Sequence, residues 1–537
     1  MSVTQPPTRN GGTLSFADAR SCKEWLNALP LTNIPQAQTL VLEALRTLNG
    51  AEFDGIERLK CLELMRDKIA FLQGEQRSRY FGKSLPLSAN DSNAWNTGRA
   101  LLEEMEAGYR NCVTEAQAGA GELPQHAALI EQRVIRYIGA QMLFHAIVYR
   151  RFDPQLWNRL HRQFADAEAA GVADERVKDS LESDDGGSTV MEAYAQVVLI
   201  QAAYLSELTA PQMDFVEALL RMWIRKVQVR KDALAGAARP ALFALAVDLD
   251  KPIGARPLLA DDLKPNHRIL DVEQLSLSMR KRIHGLKRDE DPVSLGLPAE
   301  SGGLDPLRQL VRLHRLWCEG APPRPAAKVP EEKTASLAFG VGEIHFFITG
   351  GKVFEQPDKS RELTRQEKQD IEVFGKIRES TQTMMVSDYN FSLEPWGVMD
   401  EMLGAWRLQR PPTASKGVAI GRLVAMRLGD SASFFLGAVS ALAQETDGRV
   451  VITVTLFPGR PEPIAARAGD ARNRANPKWA EAFRLPAIDK LKVPASLVVA
   501  SGVASRGRGV EIWDDGAKEA TVYELLERGT DFDRFTY

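Results

Sequence analysis

The sequence predicts an α+β multidomain protein: a large N-terminal helical bundle or degenerate helical repeat, followed by a small antiparallel β-barrel with an inserted helix. Three observations carry this expectation. Between Ser15 and Trp317 apolar residues recur mostly at steps of three and four, the spacing of a helix face. Gly320–Lys333 (GAPPRPAAKVPEEK) holds four prolines and reads as a linker. Beyond it the apolar runs shorten to strand length, and Gly, Pro, Asp and Ser clusters separate many of them. The expected domains are a first helical packet over 13–171, a second over 189–319 with a short extended segment, and a barrel with a C-terminal β extension over 334–537.

The helical elements follow from the same periodicity. Ile56, Leu59, Leu62, Met65, Ile69 and Leu72 share one face, with Glu57, Arg58, Lys60, Glu63, Arg66 and Asp67 on the other. Similar patterns cover Asn90–Ala116, Pro124–Arg151, Pro154–Ala170, Thr189–Leu208 and Pro211–Lys231. Asp153 before Pro154, and Thr209 before Pro211, are start signals. The charged Val172–Ser188 stretch reads as a solvated loop between packets. Leu156–Gly171, with Trp157, Leu160 and Phe164, looks like the first helix of a tetratricopeptide unit, although no regular register follows. Arg225, Lys226, Arg230 and Lys231 are expected on a helix, as a solvated basic face. Ala241–Asp250 is short, apolar and bounded by prolines, so it is a buried strand or an extended segment. Helical spacing resumes at Val272–Leu286 and Pro306–Trp317.

After the linker, strands are expected within Ala335–Thr349, Trp396–Met399, Trp406–Leu408, Ile420–Leu428, Phe434–Ala443, Arg449–Phe457 and Pro463–Arg467. Ser360–Ser380 interrupts them as an amphipathic helix. Ala495–Ala500, Gly509–Trp513 and Ala520–Leu525 form a second β patch before the aromatic tail.

Composition excludes more than it identifies. The chain carries 68 Lys and Arg against 71 Asp and Glu, so no global field draws in nucleic acid or an anionic membrane. Cys22, Cys61, Cys112 and Cys318 are dispersed, which argues against a disulfide framework and fits a reducing cytoplasm. Met1–Gly12 lacks the pattern of a signal peptide, and no run of about 18 apolar residues predicts a membrane span. The seven histidines form neither H-x-x-x-H nor H-E-x-x-H, so no metal is expected. There is no G-x-S-x-G elbow and no cysteine in a catalytic setting. Gly340-Val-Gly342 falls within an expected strand, and Ser505-Arg-Gly-Arg-Gly509 reads as a basic hairpin turn. No cofactor is implied, and the chain reads as non-enzymatic.

The most informative stretch is Trp396-Gly-Val-Met-Asp-Glu-Met-Leu-Gly-Ala-Trp-Arg-Leu408, followed by Lys416–Leu428, Phe435–Ser440 and Val450–Phe457. This order resembles a PilZ-type barrel, the family of bacterial receptors for cyclic di-GMP. That family grips its ligand with an Arg-x-x-x-Arg lead-in and an Asp/Asn-x-Ser-x-x-Gly turn. Guanidinium forks suit phosphates, and a turn glycine permits close approach. Asp400 matches the acidic position, and Gly404 and Trp406 follow it; Met402 stands for the Ser and Ala405 for the last Gly. Arg324-Pro-Ala-Ala-Lys328 has the lead-in spacing with Lys in the second place, whereas Arg361 and Arg365 fall on the expected helix. The resemblance, over Thr334–Arg467, is therefore to a degenerate member. It implies ligand contacts at Arg324, Lys328, Asp400 and Gly404, with Trp406 as a packing or stacking group.

The expected function is that of a cytoplasmic regulator or adaptor. Its helical region would dock a protein partner, and its barrel would sense cyclic di-GMP or serve as a protein-binding module that has lost its ligand. Ligand would bias the orientation of barrel against helices across the linker. The alternative is a helical-repeat scaffold or chaperone-like module with no small ligand. An enzyme with a dispersed site is a third reading.

Overall fold

A computed structural model describes residues 14–182, 186–231, 245–258, 264–299, 304–320, 327–328, 333–357, 369, 373, 391–413, 416–429, 431, 433–469, 478–505 and 507–537. The chain divides into two compact units, Met1–Pro323 and Arg324–Tyr537.

The first unit carries ten α-helices among its described residues. They are α1 (Ala19–Asn27), α2 (Ile34–Gly50), α3 (Gly55–Gln76), α4 (Ala89–Gln117), α5 (Ala127–Ala146), α6 (Gln155–Ala169), α7 (Val190–Ala202), α8 (Ala210–Trp223), α9 (Glu273–Leu286) and α10 (Pro306–Cys318). Polar caps set many of the starts. Asp18, Asn33, Asp54, Ser88, Thr189 and Asp305 each accept a backbone N–H of the first turn, worth about 1 kcal/mol apiece. Thr189 and Glu192 complete a reciprocal capping box. At the centre lies α5, packed against α4, α6 and α7, with Ile130, Val134, Ile138 and Met142 buried. Gly139 lets α7 approach, since a Cβ there would lie 2.2 Å from Val197 Cγ2.

Two sequence expectations change here, and the polar face of α3 is itself partly buried, with Arg58 and Arg66 both inside. Arg58 donates to the carbonyls of Leu48 and Ala51 at 2.5 and 3.1 Å, satisfying the end of α2. The 172–188 stretch is not simply a solvated loop. Its Asp179 is buried between Arg66 (2.6 Å) and Arg133 (3.2 Å), while Arg133 forks onto Glu63 with two bonds of 2.9 Å. Burial alone would push the Asp179 and Glu63 carboxyls up. The guanidiniums of Arg133 and Arg66 outweigh it and hold both below the ordinary carboxylate range. Finally, α8 stops at Trp223, and alternating β-branched Val227 and Val229 lead into a strand. Arg225, Lys226, Arg230 and Lys231 therefore share no helix face, and Arg230 pairs with Asp271 at 2.6 Å.

That strand, β1 (Gln228–Arg230), joins β2 (Leu245–Asp248), β3 (Arg256–Pro257) and β4 (His267–Asp271) in an antiparallel sheet ordered β1-β4-β2-β3. Wholly buried, β2 agrees with the strand alternative for Ala241–Asp250, whose residues 241–244 lie outside the described set. Leu156, Trp157, Leu160 and Phe164 bury one stripe of α6, as the repeat-like pattern requires. Packing of His161 is fixed by Tyr194 Oη at Nδ1 and the Ile253 carbonyl at Nε2, both at 2.9 Å, so this histidine is a clamp within the core.

Among its described residues the second unit is mostly β. Its first barrel comprises β6 (Thr334–Phe339), β7 (Glu394–Met402), β8 (Ala405–Arg410), β9 (Leu423–Leu428), β10 (Phe435–Gln444) and β11 (Val450–Leu456). The order β7-β6-β9-β10-β11-β8 closes because β8 pairs back onto β7, which leaves no free edge. A two-residue strand, β5 (Ala327–Lys328), extends the β6 side of β7. The expected strand over Ala335–Thr349 is only half right. It ends at Phe339, Gly340 turns at φ +84°, and α11 (Val341–Ile348) follows. An unbroken apolar run cannot by itself separate strand from helix. Of the expected helix over Ser360–Ser380 only residues 369 and 373 are described, both helical, and Arg361 and Arg365 lie outside the described residues.

The C-terminal extension is itself a second sheet of β12 (Glu462–Ala468), β13 (Ala480–Leu485), β14 (Ser496–Ala500), β15 (Gly509–Trp513), β16 (Ala517–Thr521), β17 (Leu525–Arg528) and β18 (Phe532–Thr536). Its order is β16-β15-β12-β13-β14-β18-β17. One continuous segment, 517–528, pairs first with β15 and then with β18, and so rolls the sheet shut. The two barrels share a core. Leu423, Ala425 and Leu436 of the first meet Phe483, Leu485, Val498 and Phe532 of the second, with Ile344 of α11 between them.

Candidate functional site

The expected ligand turn lies at the tip of the β7–β8 hairpin. Met402 pairs with Ala405, so Leu403 and Gly404 alone make the reversal. Gly404 sits at φ +71°, a conformation in which a side chain would be strained. Its carbonyl accepts from the Leu456 amide at 2.9 Å, which ties the tip to β11. Leu403 is fully exposed at the apex.

Two residues down the hairpin, Asp400 of β7 lies opposite Arg407 of β8, and on the other edge opposite Lys328 of β5. A carboxylate therefore stands in register between two cationic residues across three strands. Arg407 Nη1 reaches Asp400 Oδ2 at 3.2 Å; the Arg407 side chain is 39% exposed and that of Asp400 13%. The pair is open to solvent on the guanidinium side.

Trp406 belongs to the other face of β8. It is buried, opposite Val454 of β11, and the Lys333 ammonium lies 4.5 Å from its ring centroid. Between the packing and stacking roles allowed by its sequence position, the geometry is that of packing. Arg324 lies outside the described residues, and for Lys328 only the strand register is described. The structure thus brings Lys328, Asp400 and Gly404 to one end of one hairpin, with Trp406 beneath.

Sequence reasoning passed over Arg407 and Lys333. Arg407 was legible in principle, because a two-residue loop at Leu403-Gly404 pairs 402 with 405, and counting back puts 400 opposite 407. A second charged pair of the same barrel is closed off. Arg410 is buried, donates to Glu394 at 2.9 Å and to the Lys416 carbonyl at 2.6 Å, and stacks 5.0 Å from the Trp396 ring centroid. Burial pushes its guanidinium below its ordinary value, with Glu394 opposing.

Among the described residues no group of three or more His, Cys, Asp or Glu could hold a metal ion, and no helix is long and apolar enough to cross a membrane.

Neither the curated proteins nor the solved structures compared with the chain gave a significant match. Two family models do match. Residues 20–233 match the model described as cyclic-di-GMP receptor FimW, N-terminal domain, and residues 464–537 match the FimW C-terminal beta-barrel domain. The matched segments fall on the helical region and on the second barrel, and together they span more than half of the sequence. The hairpin barrel stands between them. A receptor barrel behind a long helical region is what the PilZ-type resemblance implied, and the chain belongs to the FimW family of cyclic-di-GMP receptors.

Proposed function

We propose that this chain is a non-enzymatic, cytoplasmic cyclic-di-GMP receptor that reads its ligand on the β7–β8 hairpin and passes occupancy to a protein partner through the helical unit. The observation that carries the hairpin assignment is the row Lys328–Asp400–Arg407, one carboxylate flanked by a cationic residue on each neighbouring strand. A guanine offers two adjacent N–H donors on one edge, which a carboxylate accepts as a pair. The cyclic phosphodiester supplies the anionic oxygens that a guanidinium fork or an ammonium binds. Gly404 keeps the tip free of a side chain on the approach side. Arg324, at the lead-in spacing from Lys328, completes the cationic set in this reading.

Calorimetric titration of the full chain with cyclic di-GMP tests it. Asp400→Asn and Arg407→Ala are expected to weaken binding at least about tenfold, a loss of about 1.4 kcal/mol. Arg324→Ala is expected to weaken it too, and unchanged affinity there removes Arg324 from the site. Wild-type affinity in both hairpin variants moves the ligand elsewhere. No heat at all, at several temperatures, favours the scaffold reading.

A further inference from the structure

A hollow of about 290 Å³ opens within the helical unit, between α3, α5, α7 and the stretch from Asp179 to Glu182. It shares Gln73, Leu102, Ala140, Leu143, Glu217 and Arg221 with a second hollow of about 460 Å³ that runs toward Arg77 and Asp214. Ile69, Leu102, Leu143 and Ile200 give the cleft its apolar wall. The polar part is rich in donors. Arg66, Arg136 and Arg221 all line it. The Nε groups of Arg66 and Arg136, and the Nε2 of Gln201, are buried with no hydrogen-bond partner among the described residues. Such N–H groups forfeit their hydration without return unless an acceptor arrives.

The arginines of the cleft are paired, yet they also repel one another. Arg136 already donates to Gln196 at 2.9 Å and pairs with Glu182. Its guanidinium is nevertheless pushed down to about 10, first by burial and then by the charges of Arg133, Arg66 and Arg221, with Asp179 alone opposing among the main contributors. Each arginine of the cleft has a carboxylate partner, Arg66 in Asp179, Arg136 in Glu182 and Arg221 in Glu217 at 3.3 Å, and burial pushes the Glu217 carboxyl up although Arg221 and Arg77 oppose the shift. Among the described residues Tyr137 is the one aromatic ring that lines the smaller hollow.

We propose that this cleft binds a small organic anion with an apolar body, its carboxylate taking the vacant N–H groups beside Arg136 and Gln201 and its hydrocarbon lying along Ile69, Leu102, Leu143 and Ile200. The site is separate from the hairpin and stands whether or not the hairpin takes a nucleotide.

The test uses the full chain and three probes with one tail: octanoate, octylammonium and 1-octanol, titrated calorimetrically. Octanoate is expected to bind at least tenfold more tightly than the other two. Gln201→Glu, which adds a negative charge, and Ala140→Phe, which fills the cleft, are each expected to weaken octanoate at least tenfold while cyclic di-GMP titrations stay unchanged. If Ala140→Phe does not fold, Arg221→Gln, at a half-exposed position, is expected to weaken octanoate severalfold. Equal affinity for the three head groups, no octanoate binding at millimolar concentration, or octanoate affinity untouched by these variants overturns the proposal.

Discussion

The helical unit and the first barrel use the same pair of residue types in opposite ways. In the helical unit Asp179 lies between Arg66 and Arg133, and all three side chains are at most 3% exposed. In the barrel Asp400 meets Arg407 at a similar distance, but with the guanidinium 39% exposed. The sealed pair fastens the 172–188 stretch to α3 and α5. An open pair gains little from its own attraction and keeps donors available for an anion. Burial, more than residue type, separates the fastening pair from the open one.

The largest effect should come from breaking the sealed cluster. Asp179→Ala leaves two buried guanidiniums under-compensated and is expected to cost about 3–5 kcal/mol in chemical denaturation. The pH dependence has a definite sign. Both Asp179 and Glu63 are held low in the folded state, so their contribution is complete above the unfolded carboxylate value near 4. It is lost as pH falls through the folded values, and Asp179→Ala should flatten the acid limb of a stability–pH curve.

A buried carboxyl without a cation should behave oppositely. Glu131 is buried against Gln163, and burial raises it to about 7 even though that hydrogen bond opposes the shift. A raised carboxyl withdraws stability as pH climbs from its unfolded value toward its folded one. Glu131→Gln is therefore expected to stabilise the chain by about 2–3 kcal/mol at pH 8, and hardly at pH 4. Equal effects at both pH values would mean the gain comes from packing.

At the open pair stability should barely move. Asp400→Asn is expected to cost at most about 1 kcal/mol in the same denaturation measurement, while weakening cyclic di-GMP at least tenfold by calorimetry. A loss of several kcal/mol would make Asp400 another structural carboxylate and end the contrast. The smallest quantity is the coupling between Asp400 and Arg407 in a double-mutant cycle without ligand, expected at about 0.2–1 kcal/mol and reduced by added salt.

Much of this division was legible in sequence. The helical spacing and the short strands of the first barrel follow from local periodicity, and the turn that carries Gly404 follows from one short motif. What could not be read is long-range. Nothing near Asp179 announces that Arg66, more than a hundred positions earlier, is its partner, so a charged stretch reads as solvated. Arg58 likewise looks like one more polar residue on α3 until the carbonyl end of α2 is placed beside it. The second barrel was legible only as scattered strands, because its closure depends on one segment changing partners at Val522 and Tyr523.

The core that the two barrels share makes them a single thermodynamic object. Phe483, Leu485, Val498 and Phe532 have their apolar partners in the first barrel, and each such side chain is worth about 1.5–3 kcal/mol when fully buried. The Asp531 carboxylate adds a stitch by accepting the Leu423 amide at 2.8 Å. The pair should therefore melt in one cooperative step, and cutting the chain between β11 and β12 should yield two sticky halves, neither of them a working module. In this chain the first barrel is not a bead that can be moved to another string; it travels with its C-terminal neighbour or not at all.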